Sequence, residues 1–134
     1  MNEAYGKLAA LLGDRDEVKV PLGAIGGSGD GWTRYATISR VALGLTVSIY
    51  GVTVAHIVPA GVEKLRTAGH FTPSTRAALA LAITGHPYSN GVVTMRTPGS
   101  KGGTPGPWRA ECLVDGRTVE VGADWTPVYV EVDA

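Results

Sequence analysis

Residues 39–85 read SRVALGLTVSIYGVTVAHIVPAGVEKLRTAGHFTPSTRAALALAITG, and this stretch is the most informative part of the chain for its architecture. Within it, residues 45–50 alternate between apolar and hydroxyl-bearing side chains, which predicts a strand with one face on the core and one face in water. Tight turns are indicated at Gly51 and at Pro59-Ala60-Gly61. The stretch therefore predicts consecutive antiparallel strands joined by short turns.

A helix over residues 73–84 follows these strands, and its two ends carry clear signals. Thr72 is a good N-cap residue, and Pro73 suits the first helical position because its fixed φ is already helical. Gly85 is a natural C-terminal stop, and Pro87 prevents the helix from continuing. The alanine- and leucine-rich interior predicts that this helix covers the apolar face of the strands.

Upstream of this stretch, the sequence predicts a helix and two strands. The helix spans residues 3–12 and stops at Gly13. A strand over residues 17–25 follows, and Pro21 marks it as an edge strand because proline cannot donate to a sheet hydrogen bond. The next strand spans residues 32–41. The apolar face predicted for the helix consists of Ala4, Leu8, Leu11 and Leu12.

Downstream, four further strands are predicted, with a hairpin turn at Asp115-Gly116. Their ranges are 92–96, 108–114, 117–121 and 128–132. The fold class is therefore α+β: an antiparallel β meander packed by one or two helices, followed by a second antiparallel hairpin set. The pattern leaves open whether the two sets form one continuous sheet. We expect a single domain over residues 1–134, with a core module at 32–85 and a C-terminal β region at 90–132.

Composition and charge limit the classes of function that this chain can have. The chain has 134 residues, 44% of them hydrophobic, which is enough for a core and argues against global disorder. Its formal net charge is +0, from 12 basic and 12 acidic residues, so no overall field attracts nucleic acid or an anionic membrane. The N-terminus lacks a signal-peptide pattern, and no apolar run approaches the roughly 20 residues that span a bilayer. The single cysteine, Cys112, excludes an intramolecular disulfide and is interpreted as a small buried residue.

Catalytic and metal-binding patterns are weak. The three histidines are His56, His70 and His86, and none has a cysteine or an acidic residue at ligand spacing beside it. The glycine-rich segment at 26–31 is not followed by a helix, so it does not fit a phosphate-binding loop. No Gly-x-Ser-x-Gly nucleophile motif is present. The sequence predicts a protein that is not an enzyme and that needs no cofactor and no metal.

Aromatic and basic residues near two glycine-rich loops are the candidate binding residues. The loops span residues 26–31 and 97–107, and whether they are ordered cannot be read from their composition. A sheet face that carries aromatic and basic side chains can stack bases and hold phosphates. The candidates are Trp32, Arg34, Tyr35, Arg96, Lys101, Trp108 and Arg109.

Residues 39–83 resemble a small module of tailed bacteriophages, of the actinobacteriophage type, whose function is unknown. The matching residues are Val47-Ser48-Ile49-Tyr50-Gly51, Val54-Ala55-His56-Ile57, Gly61, Leu65, Ala68-Gly69-His70-Phe71-Thr72 and Ser74-Thr75-Arg76. The chain differs from the module in carrying alanines where that helix is usually basic. The resemblance covers about a third of the chain and implies a phage or prophage origin, with the host cytoplasm as the expected location.

Three functional hypotheses follow. The preferred one is a small non-catalytic interaction protein of bacteriophage type, which binds a host or phage protein, or a second copy of itself, through the glycine-rich loops. The alternative is a single-stranded nucleic-acid-binding protein that uses arginine and tryptophan residues on a sheet face. The third is an enzyme with an unrecognised site. No membrane partner is expected.

Overall fold

The computed structural model describes residues 2–24, 33–70, 72–87, 91–96 and 109–128. Two helices, α1 (Glu3–Leu12) and α2 (Pro73–Thr84), accompany nine strands in these ranges. The first five strands are β1 (Glu17–Ala24), β2 (Thr33–Val41), β3 (Gly44–Ile49), β4 (Val52–Val58) and β5 (Gly61–Leu65). The remaining strands are β6 (Val93–Arg96), β7 (Arg109–Val114), β8 (Arg117–Val121) and β9 (Thr126–Pro127).

The strands form two antiparallel sheets. The large sheet has six strands in the order β1-β2-β3-β4-β5-β9, and the small sheet has three in the order β6-β7-β8. The predicted α+β class with an antiparallel meander is confirmed, and β1 is an edge strand as Pro21 indicated. The two strand sets are separate sheets in this part of the chain, although β9 returns to the large sheet and pairs with β5.

The last strand that the structure describes lies just before the predicted strand at 128–132. Pairing with the large sheet occurs at Thr126–Pro127, and Val128 continues it by donating its backbone N–H to the carbonyl of Glu63 at 2.8 Å. The sequence gives no sign of this pairing, because Trp125-Thr126-Pro127 lacks an alternating pattern and contains a proline. Residues 129–132 lie outside the described ranges.

Helix α2 has the predicted ends. Thr72 has an extended backbone, and its hydroxyl accepts a hydrogen bond from the backbone N–H of Thr75 at 3.2 Å. Gly85 ends the helix with a left-handed backbone, at φ 80°. Residues 77–82 are all buried, because the helix is packed between the large sheet, the small sheet and α1.

Helix α1 also matches its predicted bounds, with Asn2 as its N-cap. Ala4, Leu8 and Leu12 are buried as expected. The expectation for Leu11 is wrong, because its side chain is 46% exposed. It lies at the margin of the apolar stripe in the last turn of the helix, where none of the described elements covers it.

The core lies between the inner face of the large sheet and the two helices. Alternate residues of β2 and β3 point into it, and the small sheet adds a further apolar layer against α2. The largest fully buried side chains include Leu8, Leu12, Leu22, Ile38, Leu45, Val47, Ile57, Leu65, Leu79 and Leu81. Neither α1 nor α2 is long and apolar enough to cross a membrane, and the described ranges contain no further helix that could.

Cys112 on β7 is buried in this core, as predicted. Burial raises the pKa of the Cys112 thiol to about 12, because the thiolate would lose its hydration. A raised pKa in the folded state means that the proton is held more tightly there than in the unfolded chain. The protonated thiol of Cys112 therefore contributes fully to stability below the unfolded pKa near 9. This contribution is lost as the pH rises toward 12.

We therefore expect Cys112 to resist alkylation while the protein is folded. At about pH 8 the native thiolate population should be roughly a thousandfold smaller than in the unfolded chain, since the pKa differs by about three units. Iodoacetamide labelling followed by mass spectrometry, with and without urea, measures this difference. Equal labelling rates in the two conditions would show that the thiol is accessible in the folded protein.

Candidate functional site

The outer face of the large sheet carries polar side chains in two cross-strand rows. In β1 to β4, one row is Lys19, Thr37, Ser48 and Thr53. The other row crosses all six strands and is Glu17, Ser39, Thr46, His56, Lys64 and Pro127. We call these two rows, together with Tyr35, Arg66 and Trp125 beside them, the open face.

The open face is left uncovered by the described residues. Its five hydroxyl-bearing residues are partly exposed, whereas their neighbours on the inner face are fully buried. Both helices pack on the inner face, and the small sheet packs on α2. The hydroxyl-rich outer strand surface therefore faces outward in this part of the chain.

A cation–aromatic group occupies the β5–β9 end of the open face. The ring centroid of Trp125 lies 4.6 Å from the Lys64 ammonium nitrogen and 4.3 Å from the guanidinium carbon of Arg66. Arg66 is fixed further, because its Nε donates a hydrogen bond to the carbonyl of Thr53 at 2.7 Å. We call Lys64, Arg66 and Trp125 the Trp125 cluster.

A pocket lies beside the Trp125 cluster, where the two sheets meet. Its volume is about 420 Å³. Thr67 joins the sheets here, because its backbone N–H and its hydroxyl both donate to the carbonyl of Gly122, at 2.9 and 3.1 Å. Both positive and negative side chains line the pocket, and two of them, Arg109 and Glu120, form an ion pair. The lining residues are Arg109, Glu120, Gly122, Ala123, Asp124, Trp125 and Thr126.

A second aromatic group lies at the turn between β3 and β4. Tyr50 has φ 55°, and its hydroxyl lies 3.1 Å from the Thr72 hydroxyl that caps α2. Its ring is 5.1 Å from the His70 ring, and the Arg34 guanidinium lies 5.9 Å from its centroid. These contacts hold the turn against the start of α2, so we assign this group a structural role.

The histidines do not meet at a common site. His56 on β4 lies 3.2 Å from the Glu63 carboxylate on β5, and this pair belongs to the sheet itself. His70 packs on Tyr50, and His86 follows the end of α2. Among the described residues, no three His, Cys, Asp or Glu side chains are grouped closely enough to hold a metal ion.

The predicted binding residues are distributed over several places. Tyr35 lies on the open face and is 51% exposed, whereas the adjacent Arg34 points to the other side of β2 and contacts Tyr50. Arg96 on β6 is opposite Arg109 on β7. Arg109 lines the pocket. The other three candidates, Trp32, Lys101 and Trp108, lie outside the described residues, as do both glycine-rich loops.

The sequence reasoning missed the Trp125 cluster. Trp125 follows Gly122-Ala123-Asp124 and belongs to no alternating apolar run, which is a signal that this tryptophan is not an ordinary core residue. Lys64 and Arg66 are two positions apart, so they share one face of their strand. Their meeting with Trp125 depends on the pairing of β5 with β9, which no local pattern indicates.

An exposed aliphatic group lies at another corner of the molecule. Leu43, at the turn between β2 and β3, is 77% exposed, and Val41 beside it is also exposed. Arg40 ties this hairpin to the end of α1, because its guanidinium donates to the carbonyl of Gly13 at 2.8 Å. Leu11, two residues before Gly13 on α1, is exposed as well. We call Val41 and Leu43 the apolar end.

Comparisons with protein-family models, with curated proteins and with solved structures found no match for this chain. The resemblance of residues 39–83 to a phage module therefore stays a prediction.

Proposed function

We propose that this chain is a small non-catalytic interaction protein of bacteriophage type that binds a host or phage protein in the cytoplasm of the host cell. The observation that supports this is the apolar end, whose Leu43 is 77% exposed, the highest value among the large exposed hydrophobic residues of the described ranges. Burying such side chains against a partner removes apolar surface from water, which is the main driving force of protein association.

The apolar end is held in place before binding. Arg40 anchors the hairpin to α1 through its guanidinium, and its backbone N–H donates to the carbonyl of Asp16 at 2.8 Å. A fixed surface loses little conformational entropy when it binds, so more of the contact energy contributes to affinity. The partner expected for this surface is a protein with an apolar cleft that accepts the Leu43 side chain.

The single cysteine fits the non-catalytic part of the proposal. Its thiol is buried, and burial raises the pKa of Cys112, so the sulfur stays protonated near neutral pH. Catalytic nucleophiles need the opposite change, a lowered pKa with solvent access. The glycine-rich loops at 26–31 and 97–107, which the sequence favours as contact segments, stay a prediction as additional parts of the interface.

We expect Leu43→Ser to abolish capture of the partner. The tagged protein is crosslinked in a bacterial lysate, and the captured proteins are identified by mass spectrometry. A partner enriched by the wild-type protein should fall at least tenfold with Leu43→Ser, because the most exposed apolar contact is lost. Leu113→Ser is the matched control, since Leu113 is 46% exposed on the small sheet, away from the apolar end.

The same variants test self-association. If the partner is a second copy of the chain, light scattering of the purified protein should show a dimer that Leu43→Ser converts to a monomer. No enriched protein together with a monomeric wild type would contradict the proposal, as would equal capture by Leu43→Ser and Leu113→Ser.

A further inference from the structure

We infer that the open face is a binding surface for single-stranded nucleic acid, separate from the apolar end. The inference goes beyond the proposed protein interaction and uses different residues. It rests on three features of the open face: its excess of cations, its two aromatic side chains, and the hydroxyl groups between them.

The cations outnumber the available carboxylates on this face. Lys19, Lys64 and Arg66 lie on it, against Glu17 and Glu63. The Glu63 carboxylate is already engaged by His56 at 3.2 Å. The three cations and two carboxylates named here leave an excess of one positive charge on this face, on a chain whose formal charge is +0. Such a region attracts phosphates at short range without a long-range field.

The Trp125 cluster presents its cations in a form suited to nucleic acid. The Arg66 guanidinium is held by the Trp125 ring and by the Thr53 carbonyl, and within the described residues only its Nε has a hydrogen-bond acceptor. The two Nη groups are therefore left to donate to a phosphate, and the guanidinium plane can stack on a base.

Tyr35 supplies a second stacking position on the other side of the face. It is 51% exposed and lies on β2, whereas Trp125 adjoins β9, four strand positions away. At about 4.8 Å per strand, the two aromatic residues are roughly 19 Å apart across the sheet. A short single strand that crosses the sheet can place one base on the Tyr35 ring and another on the Arg66 guanidinium, which itself packs on Trp125.

The residues between these positions are short and polar. Thr37, Ser48 and Thr53 form the row that leads from Lys19 toward Arg66, and the Ser48 and Thr53 hydroxyls lie 3.1 Å apart. Serine and threonine hydroxyls are common donors to phosphate and sugar oxygens. Hydroxyl groups set between cations offer a series of donors to a chain of phosphates, and for this reason we assign a nucleic acid rather than a protein as the occupant.

Single strands suit this surface better than a duplex. Reading a duplex requires a helix or a ribbon that enters a groove, and the described part of the open face has no such projection. A flat sheet can instead contact unstacked bases and a backbone laid across it.

The test is fluorescence anisotropy of the purified protein with fluorescein-labelled oligo(dT) and oligo(U) at low salt. We expect binding whose affinity falls as salt rises. With three phosphate-contacting cations, the slope of log affinity against log salt concentration should be about −2, since each contact contributes about −0.7 on a single strand.

Four charge variants locate the contact. Arg66→Gln should weaken binding about tenfold, and Lys64→Gln and Lys19→Gln about threefold each, with the salt slope reduced by about 0.7 in each case.

Arg76→Gln is the matched control, because Arg76 is exposed on α2, on the other side of the large sheet. It removes one positive charge and should change the affinity less than twofold. Thermal unfolding of every variant shows whether the fold is retained, and Lys64→Gln keeps the Arg66 hydrogen bond intact.

Three results would overturn the inference. The first is no anisotropy change for either oligonucleotide at about 20 mM salt and about 100 μM protein. The second is an equal effect of Arg66→Gln and Arg76→Gln, which would indicate only non-specific charge. The third is a combination of two observations: the wild-type protein binds no oligonucleotide, and Arg66→Gln loses a protein partner that the wild type captures from the lysate. That result would assign the face to a protein. None of these affects the apolar end, which Leu43→Ser tests independently.

Discussion

Gly44→Ala is expected to destabilise the protein by about 3 kcal/mol or more, although it adds only one methyl group. A Cβ atom at this position would lie 2.1 Å from the carbonyl oxygen of Ile57 and 3.2 Å from the Cα of Val58. Both are backbone atoms of β4, so the clash cannot be relieved by rotating a side chain. The β3 and β4 strands must separate, and this disturbs the centre of the six-stranded sheet.

The measurement is urea denaturation followed by circular dichroism. A total stability of about 5 to 15 kcal/mol is usual for a domain, so a loss of this size should lower the urea midpoint markedly or unfold the protein at 37 °C. Gly122→Ala is the control, because a Cβ atom there meets no atom within 4 Å. It should change stability by less than about 0.5 kcal/mol. Equal midpoints for the two variants would show that the close approach at Gly44 is not required.

The neighbouring substitution Leu45→Ala should cost about 3 to 4 kcal/mol for a different reason. The Leu45 side chain is fully buried and lies opposite Ile57 in the register of β3 and β4. Truncation loses the apolar contacts and leaves a cavity between the sheet and the helices, since a packed core collapses only partly around a removed side chain.

Leu43→Ala is the control for Leu45→Ala, because it makes the same leucine-to-alanine substitution two residues away. Because Leu43 is 77% exposed, its truncation should alter the free energy of unfolding by less than about 0.5 kcal/mol. Thermal and urea unfolding of both variants measure the difference. If Leu43→Ala proved as destabilising as Leu45→Ala, Leu43 would belong to the core, and the apolar end would not be an available surface.

Local signals account for what the sequence predicted well. Thr72, Pro73 and Gly85 set the ends of α2 because capping depends on residues within one turn of the helix end. Asp115 and Gly116 both have positive φ, as the predicted hairpin turn requires. The alternation in β3 identified its buried face, because side chains along a strand point alternately to opposite sides.

Long-range contacts account for what the sequence did not predict. The separation into two sheets depends on which strands meet, and no residue pattern in β6 to β8 specifies that choice. The Trp125 cluster requires β9 to reach β5, and the exposure of Leu11 depends on how far the sheet extends under α1. The sequence analysis places Arg34 and Tyr35 in one set of candidate binding residues, but adjacent residues of a strand point to opposite faces of the sheet.

The pairing of β9 with β5 joins two segments that are far apart in the chain. Thr126 lies opposite Leu65, about sixty residues earlier in the chain, and contacts so far apart form late because a long loop must close first. Trp125 reaches Lys64 and Arg66 only once this closure is complete. A chain in which β9 is not yet paired therefore lacks the assembled cation–aromatic group, so the nucleic-acid binding that we propose for the open face requires this pairing.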